Sequence, residues 1–207
     1  AEYASLPWGR RFWYRFCRSG VGFGFYYVVH AWLERYVLPS NGLRTRAGPR
    51  EWLFAACIIF WIAALVMLLA NSAGWRGVLF GAVLPHLVGC WPLGWATWRQ
   101  HTHPQIPWFK TLEQWSEMGQ PEEVSVRLQS PKWFDALTLW VMLHPAHHTD
   151  ASIPCYRLPE AERLLEEHPG SQCILATKGG LRPFLDLLRT CRLYDYEAHA
   201  WLDYDGR

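Results

Sequence analysis

The stretch "LFAACIIFWIAALVMLLA", residues 53–70, has no charged residue and no proline. As a helix it is about 27 Å long, close to the hydrocarbon thickness of a bilayer. The alternative, a buried core helix, fits poorly, because a core helix of this length usually carries some polar residue. "NSAGWRG" (71–77) reads as a short turn, and "VLFGAVLPHLVGCWPLGWAT" (78–97) is a second apolar run, interrupted by Pro85, His86 and Pro92. Proline and glycine are tolerated in membrane helices where neighbours satisfy the freed carbonyls. The two runs predict a transmembrane hairpin over 53–97.

Charge sets the expected orientation. Arg10, Arg11, Arg15, Arg18, Arg44, Arg46 and Arg50 precede the first run, and Arg99 and Lys110 follow the second. The connecting turn has only Arg76. The positive-inside rule then places both ends in the cytoplasm, and Trp52, Trp75, Trp95 and Trp98 fall where interfacial aromatics belong. A mean hydropathy of -0.07 hides this segregation. The composition, 51% hydrophobic with 14 Trp and 10 Phe in 207 residues, is rich for a soluble domain.

A net charge of +2 gives no reason to expect nucleic acid. The six cysteines (Cys17, Cys57, Cys90, Cys155, Cys173 and Cys191) form no C-x-x-C pair. Their spacing fits neither a disulfide framework nor a zinc finger and suits a reducing compartment. The basic, aromatic opening "AEYASLPWGRRFWYRFCR" lacks the apolar centre of a signal peptide and an initiator Met. It reads as an interior piece of a longer protein.

Around the hairpin the chain falls into three parts: a cytoplasmic or interfacial segment (1–52), the hairpin (53–97) and a cytoplasmic region (98–207). The stretch 20–40 suits a membrane-surface or short embedded helix, and 40–50 suits a loop. Ser130 is expected to cap a helix with Pro131 at its first position. Further short helices are expected over "LPEAERLLEEHPG", from Pro159 to Pro169, and over "GGLRPFLDLLRTCRL". The loop "LEQWSEMGQPEEVSVRLQS" is expected to be irregular. The expected fold is all-α: a helical integral membrane protein with a transmembrane hairpin and a cytoplasmic helical metal-binding cap.

The chemistry lies in the histidines. His144, His147 and His148 stand at i, i+3 and i+4, which share a helix face. His101 and His103 form a second group about 40 residues upstream. Protonated imidazoles on one face repel, so a bound metal is a natural reason to gather them. Imidazole suits zinc, copper, iron and nickel. The chain has no H-E-x-x-H motif and no cysteine within the cluster, which argues against zincin chemistry and a structural zinc. His30, His168 and His199 read as ordinary hydrogen-bonded residues, and His86 as a hydrogen-bonding group within the second run. Pro145 inside the cluster implies that a new helix starts there, with His144 as cap and Pro145 at N1.

Three segments, "QHTHPQIPWF", "HPAHHTDASIPCYRLPEA" and "LYDYEAHAWLDYDG", resemble the membrane-bound fatty acid desaturases, especially the methyl-end branch. H-x-x-H-H followed by I-P-x-Y-x-L-x-x-A and preceded by QHTHP carries the resemblance, which covers almost the whole chain. It implies that His144, His147 and His148 are third-box ligands of a diiron centre. His101 would be an additional ligand and His103 a supporting or alternative one. It further implies O2 as co-substrate, an acyl-chain lipid as substrate, and electrons from cytochrome b5 or a ferredoxin. A related hydroxylase or carotenoid-modifying oxygenase, or a non-catalytic metal-binding remnant, is the alternative. The family's first two histidine boxes are absent from these 207 residues. The chain alone is therefore expected to be inactive, with oxidoreductase activity belonging to a longer parent.

Overall fold

The computed structural model describes residues 2–38, 48–118, 124–167, 175–178 and 180–206. They divide into two compact units, Ala1–Trp95 and Ala96–Arg207.

The first unit is helical. The short α1 (Glu2–Ser5) and the arginine- and aromatic-rich α2 (Trp8–Cys17) lead into α3 (Phe23–Tyr26), which continues as a π-helix, Tyr27–Val37. Trp13 Nε1 donates to His30 Nε2 at 3.1 Å, and His30 Nδ1 lies 3.1 Å from Glu34. His30 is thus a hydrogen-bonded residue, as its isolation in sequence implied.

Helix α4 (Pro49–Val78) starts with Pro at its first position, and Glu51 accepts the Gly48 N–H at 2.8 Å. It contains the apolar run and a break at Gly74 (φ 62, ψ -154). A φ in that region suits glycine, which has no Cβ to clash. Beyond it the chain doubles back. A Cβ on Gly81 would lie 3.0 Å from the Leu69 side chain, although a straight helix would hold these residues about 18 Å apart. The return leg passes through a π-helical turn, Leu79–Val83, into α5 (Leu84–His101), which carries Pro92. The turn expected over 71–77 is therefore centred on one glycine.

Two glycines let the legs of this unit approach closely. A Cβ on Gly94 would meet the Phe23 carbonyl oxygen at 2.3 Å, and one on Gly24 would meet the Leu87 carbonyl oxygen at 3.2 Å. Small residues at such crossings are typical of helices packed in lipid. Trp91 Nε1 also donates to the Gly20 carbonyl at 2.8 Å. His86 sits against Trp32 (centroids 4.6 Å) and 3.7 Å from Cys90 Sγ.

The helical stretch Pro49–His101 has the length and composition to cross a membrane. Its most apolar window has a mean hydropathy of 2.8 and is only 6% buried. Phe54, Phe60, Trp61 and Leu68 all point outward.

The second unit mixes short helices with strands. After α6 (Leu112–Met118) come β1 (Val126–Gln129), α7 (Lys132–Leu137), α8 (His144–Thr149), a 3-10 turn (Cys155–Arg157) and α9 (Leu158–Glu167). β2 (Leu175–Lys178), α10 (Leu181–Thr190), β3 (Leu193–Asp195) and β4 (Ala200–Leu202) complete it. β1 pairs in parallel with β2, Val126 opposite Leu175; β3 and β4 form an antiparallel hairpin. Asp195 Oδ1 accepts the Glu197 and Ala198 N–H groups and so fixes that turn.

The helical expectation holds for most of the chain, and these four strands of three or four residues are the addition to it. The stretch 112–130, expected to be irregular, contributes α6 and β1. Helix α7 is capped by Pro131 rather than Ser130, whose hydroxyl instead bonds Asp135 Oδ1. Residues 39–47, in the expected loop, and His168 lie outside the described residues.

Candidate metal centre

The local sequence separates α8 from α7. Leu139 and Trp140 both take left-handed backbone conformations (φ 56 and 60). Such residues cost roughly 1–2 kcal/mol each and need support. It comes from the Trp140 N–H to Asp135 carbonyl bond (2.6 Å) and the Leu143 N–H to Trp140 carbonyl bond (2.9 Å). The chain then restarts as α8, with Leu143 as N-cap. The cap is one residue earlier than the sequence suggested, since His144 already has helical geometry. Pro145 in the first turn removes an N–H that no intrahelical carbonyl would have accepted.

Three tethers hold this helix. Leu128 N–H in β1 donates to the Met142 carbonyl at 3.2 Å. Gln100 Nε2 in α5 donates to the Val141 carbonyl at 2.6 Å. Glu162 in α9 accepts the Ala146 N–H at 3.1 Å. Beneath them Leu143, Ala146 and Leu158 form a buried cluster with Trp140, Ile153 and Ala161 packed against it.

Within this frame three imidazoles converge. His101 Nε2 lies 3.0 Å from His144 Nε2 and 3.4 Å from His148 Nε2. One ligand nitrogen from each of the three falls within 4.8 Å of the others. First-row metal–imidazole bonds of about 2.0–2.1 Å set neighbouring donor nitrogens about 3 Å apart, so the spacing suits one ion. His101 Nδ1 faces the Val124 carbonyl at 2.9 Å. A carbonyl only accepts, so Nδ1 carries the proton and Nε2 offers its lone pair to the cluster.

Burial, reinforced by the charges of His101, His148 and His147, pushes His144 down to about 2. Burial, followed by His101 and His147, lowers His148 to about 4. Both are neutral at pH 7, the form that binds a metal.

His103 and His147 stand apart from this trio. His103 Nδ1 accepts the Gln105 N–H at 3.3 Å. His147 is exposed, its ring stacked on His144 with centroids 5.5 Å apart. His199 lies in the β3–β4 turn with φ 48. Sequence reasoning missed Gln100 and Glu162. Both are polar residues buried to 2% exposure; Gln100 opens the QHTHP segment, where the histidines drew the attention, and Glu162 lies one residue beyond the I-P-x-Y-x-L-x-x-A segment.

The geometry defines a helical protein with an apolar helical hairpin and a three-histidine site suited to a first-row transition metal. The sequence model of the fatty acid desaturase family matches residues 1–176, and the chain belongs to that family. Among its relatives is the chloroplastic omega-6 fatty acid desaturase of Glycine max, 29% identical over 149 residues. That match covers 72% of this chain and 35% of the relative. The sn-1 oleoyl-lipid 12-desaturase of Picosynechococcus sp. is 24% identical over 151 residues, covering 69% of this chain and 43% of the relative. The chloroplastic omega-6 desaturase of Spinacia oleracea is 24% identical over 135 residues, 61% of this chain and 30% of the relative. The chain thus spans less than half the length of these relatives.

Proposed function

We propose that this chain is the third-box portion of a membrane-bound acyl-lipid desaturase that introduces a cis double bond into a fatty acyl chain. The observation that carries the reading is the convergence of His101, His144 and His148 Nε2 atoms. The names of the relatives favour an oleoyl chain held in a lipid, with the new double bond toward the methyl end.

The bound group would be iron, which supplies O2 activation and removal of hydrogen from an unactivated C–H bond. His101, His144 and His148 would hold one ion. His147, on the outward side of α8, and His103 would serve a second iron or its surroundings, together with donors beyond these residues. Neutral imidazoles hold iron without adding negative charge, so the low proton affinity of His144 and His148 keeps their lone pairs free at physiological pH. The Val124 carbonyl fixes the proton of His101 on Nδ1.

In balance, a –CH2–CH2– unit, O2, two electrons and two protons give –CH=CH– and two water molecules. Cytochrome b5 or a ferredoxin would deliver the electrons. Residues 53–97 would cross the membrane as a hairpin with both ends in the cytoplasm, which puts the histidines on that face. The arginine asymmetry and the outward apolar side chains support this placement.

The test is to express the full reading frame in a desaturase-deficient host with an electron donor, then profile lipids and measure iron. New double bonds and bound iron are expected, both lost in His144→Ala. Hydroxylated acyl chains would assign the related hydroxylase chemistry instead, and unchanged lipids with no iron would refute the enzyme reading.

A further inference from the structure

Glu162 occupies a position where an apolar side chain would be expected. It lies one helical turn beyond the buried Leu158, beside Ala161 of the apolar cluster, and is itself only 2% exposed. Burying a carboxylate is costly unless its oxygens find partners. Oε2 has one: it accepts the Ala146 N–H at 3.1 Å. Oε1 has no hydrogen-bond partner and faces Arg127 Nε at 3.9 Å. Arg127 is in turn engaged by Glu166. Packing alone would be met by a leucine; the carboxylate is set apart by its one hydrogen bond, to a backbone N–H, with the Arg127 guanidinium beyond hydrogen-bond reach of the other oxygen.

That group is well placed. Ala146 lies between His144 and His147, in the first turn of a six-residue helix whose own N-cap makes no side-chain hydrogen bond. The long-range acceptor from α9 therefore does what a local cap would do, and fixes the rotation of the turn that carries the histidines. Cδ of a glutamine would reach as far as that of glutamate; an aspartate would be one methylene short.

We propose that Glu162 is a positioning residue for the metal centre: by accepting the Ala146 N–H it sets α8 so that His144 and His148 both meet His101. The inference rests on the metal reading above. Its working element is an acceptor at fixed reach rather than a negative charge, so glutamine is expected to replace it.

The experiment is cobalt(II) titration of the full 207-residue chain in detergent, read by d–d absorption, with helicity and Tm followed in parallel. Glu162→Ala is expected to weaken cobalt binding about tenfold at unchanged helicity, the usual scale for groups that orient metal ligands. Glu162→Gln is expected to stay within about threefold of wild type, both in affinity and in band shape. If Glu162→Ala fails to fold, Glu162→Asp takes its place and is expected to bind as weakly.

A purely structural role would lower Tm and leave the affinity of the folded protein unchanged; that result overturns the proposal. So does a glutamine variant as weak as the truncated one. His144→Ala separates the two readings. Should wild type bind no cobalt, or His144→Ala bind like wild type, the metal reading fails and this inference with it. Should His144→Ala lose cobalt while Glu162→Ala keeps it, only this inference fails.

Discussion

His101 Nε2 lies 3.0 Å from His144 Nε2, although 43 positions separate the two residues. The contact joins the last residue of α5 to the first of α8. It also divides the histidines into a converged trio and two outlying residues, and the following expectations depend on that division.

In the 207-residue chain, His101→Ala, His144→Ala and His148→Ala should each abolish measurable cobalt(II) binding, because two imidazoles hold an ion poorly. His103→Ala and His147→Ala should bind within a few-fold of wild type. Equilibrium titration distinguishes these sets. In a full-length enzyme His147→Ala should lower the iron content, because His147 would then face donors from beyond this chain. Loss of cobalt in His147→Ala alone would mean that the trio is wrongly composed.

Expressed by itself in a desaturase-deficient host, the chain should form no new double bonds, since three converged imidazoles suit one ion and the proposed diiron chemistry would need two. Lipid profiling against an empty vector tests this. Desaturated product with two irons per chain would show that further ligands lie within these residues.

Stability of the metal-free protein should fall as pH drops below about 6.5, the ordinary histidine value. The folded values of about 2 for His144 and about 4 for His148 are depressed. The unfolded chain therefore binds more protons between those values and 6.5, and stability is full above that window and lost on acidification. Between pH 6.5 and 5, above the range of ordinary carboxylates, His148→Phe should show a shallower decline in Tm than wild type. Parallel curves would contradict the buried neutral state of His148.

Cys155 and Cys57 are both exposed on the chain, but only Cys155 lies outside the apolar helices. In variants retaining a single cysteine, a membrane-impermeant maleimide should label Cys155 in inside-out vesicles and not in intact cells. Cys57 should react only after detergent is added. Labelling of Cys155 from outside the cell would reverse the proposed topology.

Gly94→Ala should lower Tm, because its Cβ would sit 2.3 Å from the Phe23 carbonyl oxygen and 2.8 Å from its carbonyl carbon. Overpacking of this kind costs about 1–3 kcal/mol. Gly89→Ala in the same helix is the control: apart from its chain neighbours and the backbone of its own helical turn, no atom lies within 4 Å of its added Cβ. Thermal unfolding in detergent should leave Gly89→Ala unchanged or slightly raised, as alanine favours a helix interior.

The sequence by itself determined the apolar run, its reversal near Gly74, a new helix beginning at the His144-Pro145 pair (to within one residue), the amphipathic α9 and α10, and the grouping of histidines. Each of these follows from local physics: hydropathy over consecutive residues, the restrictions of glycine and proline, and the period of a helix. It did not determine which histidines meet. On α8, His147 and His148 stand roughly 60° to one side of His144 and 40° to the other, and either pairing satisfies the pattern. The tertiary structure chose His148 by placing His101 on that side, through the bonds from Gln100 to Val141 and from His101 to Val124. The parallel β1–β2 pair and the burial of Glu162 were equally invisible. The first joins segments nearly 50 residues apart, Val126 to Leu175, and the second places a charged residue of an amphipathic helix against a backbone N–H sixteen positions away. Contacts between distant segments depend on how whole elements pack, and a residue's neighbours along the chain carry no record of them.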